Sequence, residues 1–93
     1  DLRTVRPLDI DSVLKSVKKT NRLVILEEAW PFGNVSTEIT FQVQSKAFDY
    51  LDAPIQKINT ADTPAPYSPV LLDEWLPNSD DVVKAVKKVL YKK

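Results

Sequence analysis

The sequence predicts an α/β fold, with helices on both faces of a mostly parallel sheet in three α/β/α layers. Three observations predict it. Apolar stripes at helical spacing alternate with short aliphatic runs, and those runs are bounded by Asn, Pro and acidic residues. The order along the chain is helix, strand, helix, strand, helix, the alternation of a βαβ layer. A chain of 93 residues is one domain, 1–93, because it buries only about 60–65% of its unfolded surface and has room for one modest core.

The first helix is predicted from Ile10 to Lys19. Ile10, Val13, Leu14 and Val17 fall at i, i+3, i+4 and i+7, a single apolar stripe. Asp9 caps its start, Lys15, Lys18 and Lys19 face water, and Thr20-Asn21 ends it. Arg22 to Glu27 then reads as a strand. Leu23, Val24, Ile25 and Leu26 are continuously apolar, as in a strand covered on both faces. A short helix is the other option, but Asn21 before the run and Glu27-Glu28 with an aromatic-proline loop after it favour the strand.

Ala29 to Gly33 leads to a second helix from Val35 to Gln44, with Asn34 as cap. Val35, Ile39 and Val43 repeat every four residues; Phe41, off that face, either meets a second covering surface or marks the margin of the stripe. Ala47 to Asp52 reads as irregular or a single turn, halted at Ala53-Pro54 because a residue before proline avoids the helical region. Ile55 to Asn59 is the second strand. Pro64, Pro66 and Pro69 stiffen an extended surface loop from Thr63 to Val70, in which Tyr67 packs. Val70 to Trp75 forms a turn of helix stopped by Pro77. The last helix is capped by Ser79, carries Asp80 and Asp81 in its first turn, and buries Val82, Val83, Val86, Val89 and Leu90.

Two strands are too few for a parallel sheet. Asp1-Leu2-Arg3-Thr4 has loop character, so a strand-helix-strand portion of the domain is expected upstream.

Composition narrows the chemistry. Thirteen basic and thirteen acidic side chains cancel, which leaves no overall excess to displace counterions from nucleic acid. The basic run Lys84, Lys87, Lys88, Lys92 and Lys93 suits a helix C-terminus. The longest aliphatic run, Leu23 to Leu26, is far too short for a bilayer. Cysteine and histidine are absent, which removes the thiolate, the commonest general base and the commonest transition-metal ligand together. A solitary glycine, Gly33, excludes a glycine-rich phosphate cradle. No catalytic, cofactor-binding or metal-binding residue is therefore assigned.

Five runs carry a resemblance. They are Asp1 to Asp9 (DLRTVRPLD), Val17 to Val24 (VKKTNRLV), Glu27 to Pro31 (EEAWP), Ala47 to Pro54 (AFDYLDAP) and Ala61 to Tyr67 (ADTPAPY). In that order they resemble the C-terminal, transketolase-like domain of pyruvate dehydrogenase-type β subunits. Arg6-Pro7-Leu8-Asp9 and the AFDYLDAP run are more similar to the pyruvate or acetoin branch than to the branched-chain 2-oxoacid branch. The chain departs from the family at Phe32 to Glu38, where a glycine-rich run is usual, and at Ile58 to Asp62, where a glycine turn is usual.

The resemblance implies a parent enzyme that decarboxylates pyruvate on thiamine diphosphate with magnesium and acetylates the lipoyl group of an acyltransferase core. It implies an α2β2 heterotetramer, with a partner α subunit and a second β subunit, cytoplasmic in a bacterium or in the mitochondrial matrix of a eukaryote. It implies cofactor and catalytic groups housed outside this segment. Asp52 matches an aspartate with which such β subunits dock the small basic subunit-binding domain of the dihydrolipoyl acyltransferase, although an Asx-type turn at Asp52-Ala53-Pro54 also favours Asp. The C-terminal carboxylate, on Lys93 if the native end is present, resembles the second docking group, with the ammonium groups of Lys92 and Lys93 opposing a basic partner.

Trp30 and Phe32 are expected at a subunit interface, or equally as satellites of the domain's own core. Glu27 and Glu28 are adjacent on a strand and point to opposite faces, so they serve structure or an interface rather than one reacting atom. Two functional readings follow: an assembly and docking module of a thiamine-dependent dehydrogenase, or a stand-alone, non-catalytic α/β interaction domain. A self-sufficient small enzyme is the remote third.

Overall fold

A computed structural model describes residues 2–92. Helix α1 spans Ile10–Thr20. The Asp9 carboxylate accepts the Ser12 amide at 3.2 Å and the Ser12 hydroxyl at 2.7 Å, which satisfies a donor the helix start would otherwise leave open. Asn21 closes the helix in the left-handed region, φ 66°, and donates its amide to the Val17 carbonyl. Strand β1, Val24–Leu26, follows and pairs in parallel with β2, Gln56–Ile58, in the register Val24 with Gln56 and Leu26 with Ile58. Both strands are shorter than the predicted Arg22–Glu27 and Ile55–Asn59. The backbone contact nevertheless continues past them, from Asp52 to Asn21 below and from Thr60 to Ala29 above.

Leu23, Ile25 and Ile55 pack on a cluster of Val17 from α1 with Ile39, Val43 and Ala47 from α2, Val35–Ala47. The sheet's other face carries α4, Ser79–Val89, which contacts both strands. The predicted three layers are therefore present around a two-stranded parallel sheet. Helix α2 runs on to Ala47, three residues beyond the predicted end at Gln44, because Ala47 is buried in the cluster. A 3-10 turn, Phe48–Tyr50, then fills half of the stretch Ala47 to Asp52, the single turn that is the alternative to irregular chain there. Helix α3 spans Pro69–Trp75, with proline in its first turn where a missing amide costs nothing.

Several expectations are corrected. Asn34 holds the cap position of α2 but donates its amide to the Trp30 and Phe32 carbonyls, so it caps nothing with its side chain. Asn78, not Ser79, caps α4. It accepts the Asp81 amide while the Asp81 carboxylate accepts the Asn78 amide, a reciprocal box that Ser79 could not close with a residue three positions on. Of the predicted α4 stripe only Val89 is fully buried; Val83, Val86 and Leu90 are 49%, 39% and 41% exposed. Strand β1 is not covered throughout either, since Leu26 is exposed. Phe41 is exposed and meets no second covering surface among the described residues, and Tyr67 is fully exposed rather than packed in its loop.

Candidate functional site

Helices α1, α2 and α4 run against the direction of the strands, so their C-termini gather where the strands begin. The last turns bring Lys18 and Lys19, Lys46, and Lys87 and Lys88 to that end, as the helix dipole favours. Asp52 sits among them. Its backbone amide bonds the Asn21 carbonyl at 2.8 Å and its carbonyl accepts the Tyr91 hydroxyl at 3.0 Å. Tyr91 reaches it because α4 closes with Tyr91 in the left-handed region, φ 57°, its amide on Lys88 and the Lys92 amide on Lys87. That is a Schellman-type stop with tyrosine in the place glycine usually takes.

The Asp52 carboxylate is half exposed, and its Oδ2 lies 3.9 Å from Arg22 Nη1. At that length and exposure the pair contributes about 0–1 kcal/mol. Arg22 is held independently, its Nε donating to the Val89 carbonyl at 2.8 Å. Among the described residues the Asp52 carboxylate takes no hydrogen bond from the turn, so an Asx-type turn does not account for the aspartate. A cleft of about 470 Å³ opens beside it, lined by Phe48, Leu51, Pro54, Ile55 and Tyr91 among others. Lys18 covers the neighbouring Tyr50 ring at 5.3 Å. The corner thus joins one partly engaged carboxylate, an apolar cleft and a ring of cations. Lys93 lies outside the described residues.

The opposite end of the sheet is built differently. Both tryptophans donate their indole N–H to one acceptor, the Thr63 carbonyl, each at 2.8 Å. Trp30 is thereby committed to fixing the proline-rich loop while half its surface stays open, and Phe32 is 86% exposed. Gly33, φ 67°, makes the turn from these aromatics into α2. Glu27 is committed too. It accepts the Ser36 amide and hydroxyl at the start of α2 and the Asn59 amide at the end of β2. The carboxylate replaces the missing Asn34 cap from outside the helix, a structural use, while Glu28 is exposed. Among the described residues no three His, Cys, Asp or Glu side chains converge in a metal-binding arrangement.

Sequence reasoning singles out Asp52 and passes over its neighbours Arg22, Phe48 and Tyr91. Arg22 reads only as the start of a strand, and its partner Val89 is distant in sequence. Exposed aromatics flanking an Asp-Ala-Pro stop, at Phe48 and Tyr50, were the available signal.

Comparison with known proteins agrees in extent and order. A family model described as "Transketolase, C-terminal domain" matches residues 1–82. The chain is 53% identical over 91 residues to the pyruvate dehydrogenase E1 component subunit beta of Rickettsia felis, covering 98% of this chain and 28% of that relative. It is 50% identical over 91 residues to the mitochondrial counterpart of Saccharomyces cerevisiae, covering 97% and 25%. It is 46% identical over 90 residues to the acetoin:2,6-dichlorophenolindophenol oxidoreductase subunit beta of Bacillus subtilis, covering 97% and 26%. The chain spans about a quarter of the length of these curated relatives.

Proposed function

Because the chain belongs to the transketolase C-terminal domain family, we propose that it is the assembly and docking part of the β subunit of a pyruvate dehydrogenase that decarboxylates pyruvate and acetylates a lipoyl group. One observation carries this reading: about half of all positions are identical to pyruvate dehydrogenase β relatives across almost the whole chain. The acetoin relative, at 46% identity, supports the same domain in an acetoin enzyme as the second reading. Bacterial and mitochondrial relatives support a cytoplasmic or a matrix location respectively. No helix among the described residues is long and apolar enough to cross a membrane.

Thiamine diphosphate and magnesium belong to the proposed parent enzyme, and the residues here do not fit them. Magnesium takes oxygen ligands; among the described residues no three acidic side chains converge to supply them, and Glu27 is spent on Ser36 and Asn59. Their donors are proposed to lie elsewhere in the enzyme. The α subunit and a second β subunit are the proposed assembly partners, with Phe32 and the open face of Trp30 as contact residues. The open outer edge of β1 is proposed to accept a further strand.

Asp52, joined by a C-terminal carboxylate where Lys93 is the native end, is the proposed docking point for the basic subunit-binding domain of the acyltransferase. The half-exposed carboxylate beside an apolar cleft supports this, since charged groups register a partner and buried apolar anchors hold it. In the full enzyme, Asp52→Ala weakens binding of that domain while dye-coupled pyruvate decarboxylation stays unchanged. Unaltered affinity removes Asp52 from the site.

A further inference from the structure

We infer that Arg22 is an internal competitor for the cation that docks at Asp52, and so selects which partners the corner accepts. The inference rests on the docking role proposed for Asp52. Four contacts lead to it. Arg22 Nε is bonded to the Val89 carbonyl, which holds the guanidinium in place whether or not Asp52 turns away. Its Nη1 stands 3.9 Å from Asp52 Oδ2, near enough to neutralise part of the charge and too far for a strong ion pair. The Asp52 backbone is held at both ends, by Asn21 and by Tyr91, so the carboxylate meets a partner only by rotating its side chain.

A docking cation therefore shares Asp52 with a fixed guanidinium, inside the field of the last-turn lysines of three helices. Charge alone gains little there, and a uniformly basic surface is repelled. The surface that fits presents one Arg or Lys beside an apolar side chain, the latter filling the cleft between Phe48, Leu51, Pro54, Ile55 and Tyr91.

The test is a double-mutant cycle on the full-length subunit in its assembled enzyme, titrated by calorimetry with the isolated basic subunit-binding domain. Arg22→Gln removes the charge and keeps a donor for the Val89 carbonyl. It tightens binding about fivefold, the scale of one exposed charge pair. Asp52→Asn weakens binding about threefold in the native background and about tenfold or more beside Arg22→Gln, and higher salt narrows that gap. Arg22→Met supplies the neutral background should the glutamine variant fail to fold, and Arg22→Lys retains the small native loss. Equal Asp52→Asn losses in the native and neutral backgrounds, or weaker binding by both neutral variants, overturn the competitor. An Asp52→Asn change without effect in every background overturns the docking role itself and the inference with it.

Discussion

Helices α1 and α4 are written in nearly the same way and buried very differently. Each is eleven residues long, opens on a side-chain cap, closes on lysines and carries one apolar stripe. The α1 stripe meets α2, where Val17 joins Ile39, Val43 and Ala47 in the core. The α4 stripe is split. Val89 is buried against the sheet, while Val83, Val86 and Leu90 stay open. Asp81, Lys84, Ala85 and Lys88 stand beside β2, so at 100° per residue the open stripe turns toward the flank where β1 has no neighbouring strand among the described residues. There Leu23 and Glu27 bond to β2, which aims the amides of Val24 and Leu26 outward. An amphipathic pattern states that a helix is made to be covered; it does not state that the covering element is near in sequence.

The largest expected effect breaks the covered side. Val43 is fully buried, so Val43→Ala loses two methyl groups and leaves a cavity, about 2–3 kcal/mol by denaturant unfolding. A loss below about 1 kcal/mol would mean that the α1–α2 cluster is not the core. The next effect sharpens the contrast. Val86→Ala costs less than about 1 kcal/mol in the 93-residue chain, where the side chain is part-exposed, and clearly more in the full-length subunit if another element covers the stripe. Equal costs in the two contexts would show that the stripe stays wet.

The smallest effect concerns pH. The Ser12 hydroxyl, and then the Ser12 amide, hold the Asp9 carboxyl below its ordinary value of 3.8. A carboxyl depressed by folding stabilises above its unfolded value and loses that contribution as pH falls through the lower folded value. The Ser12 amide protection factor therefore falls on acidification below about pH 4. Asp9→Asn removes this pH dependence; an Asp9→Asn chain that still responds would place the titrating group elsewhere.

What the sequence made legible follows the reach of each interaction. The Asp9 cap and the Asn21 stop act within three or four residues, and both stand in the structure as read. Asn78 and Ser79 are neighbouring cap candidates, and only the reciprocal bond from Asp81 decides between them. Glu27 reaches Ser36 and Asn59 across nine and 32 residues, and Arg22 reaches Val89 across 67. No local pattern encodes such pairs. Asp52 is singled out by resemblance, while the neighbouring Arg22 and the cleft beside it are visible only in the fold. The failed stripe at Val83, Val86 and Leu90 has the same origin, because periodicity records an intended partner without naming it.

The shared Thr63 carbonyl gives the molecule an optical gauge of its own. All of its indole absorbance and emission comes from two rings fastened to one oxygen at the root of the proline-rich loop. A shift of that loop changes the surroundings of both chromophores together, so ultraviolet-excited emission reads its position without any attached dye.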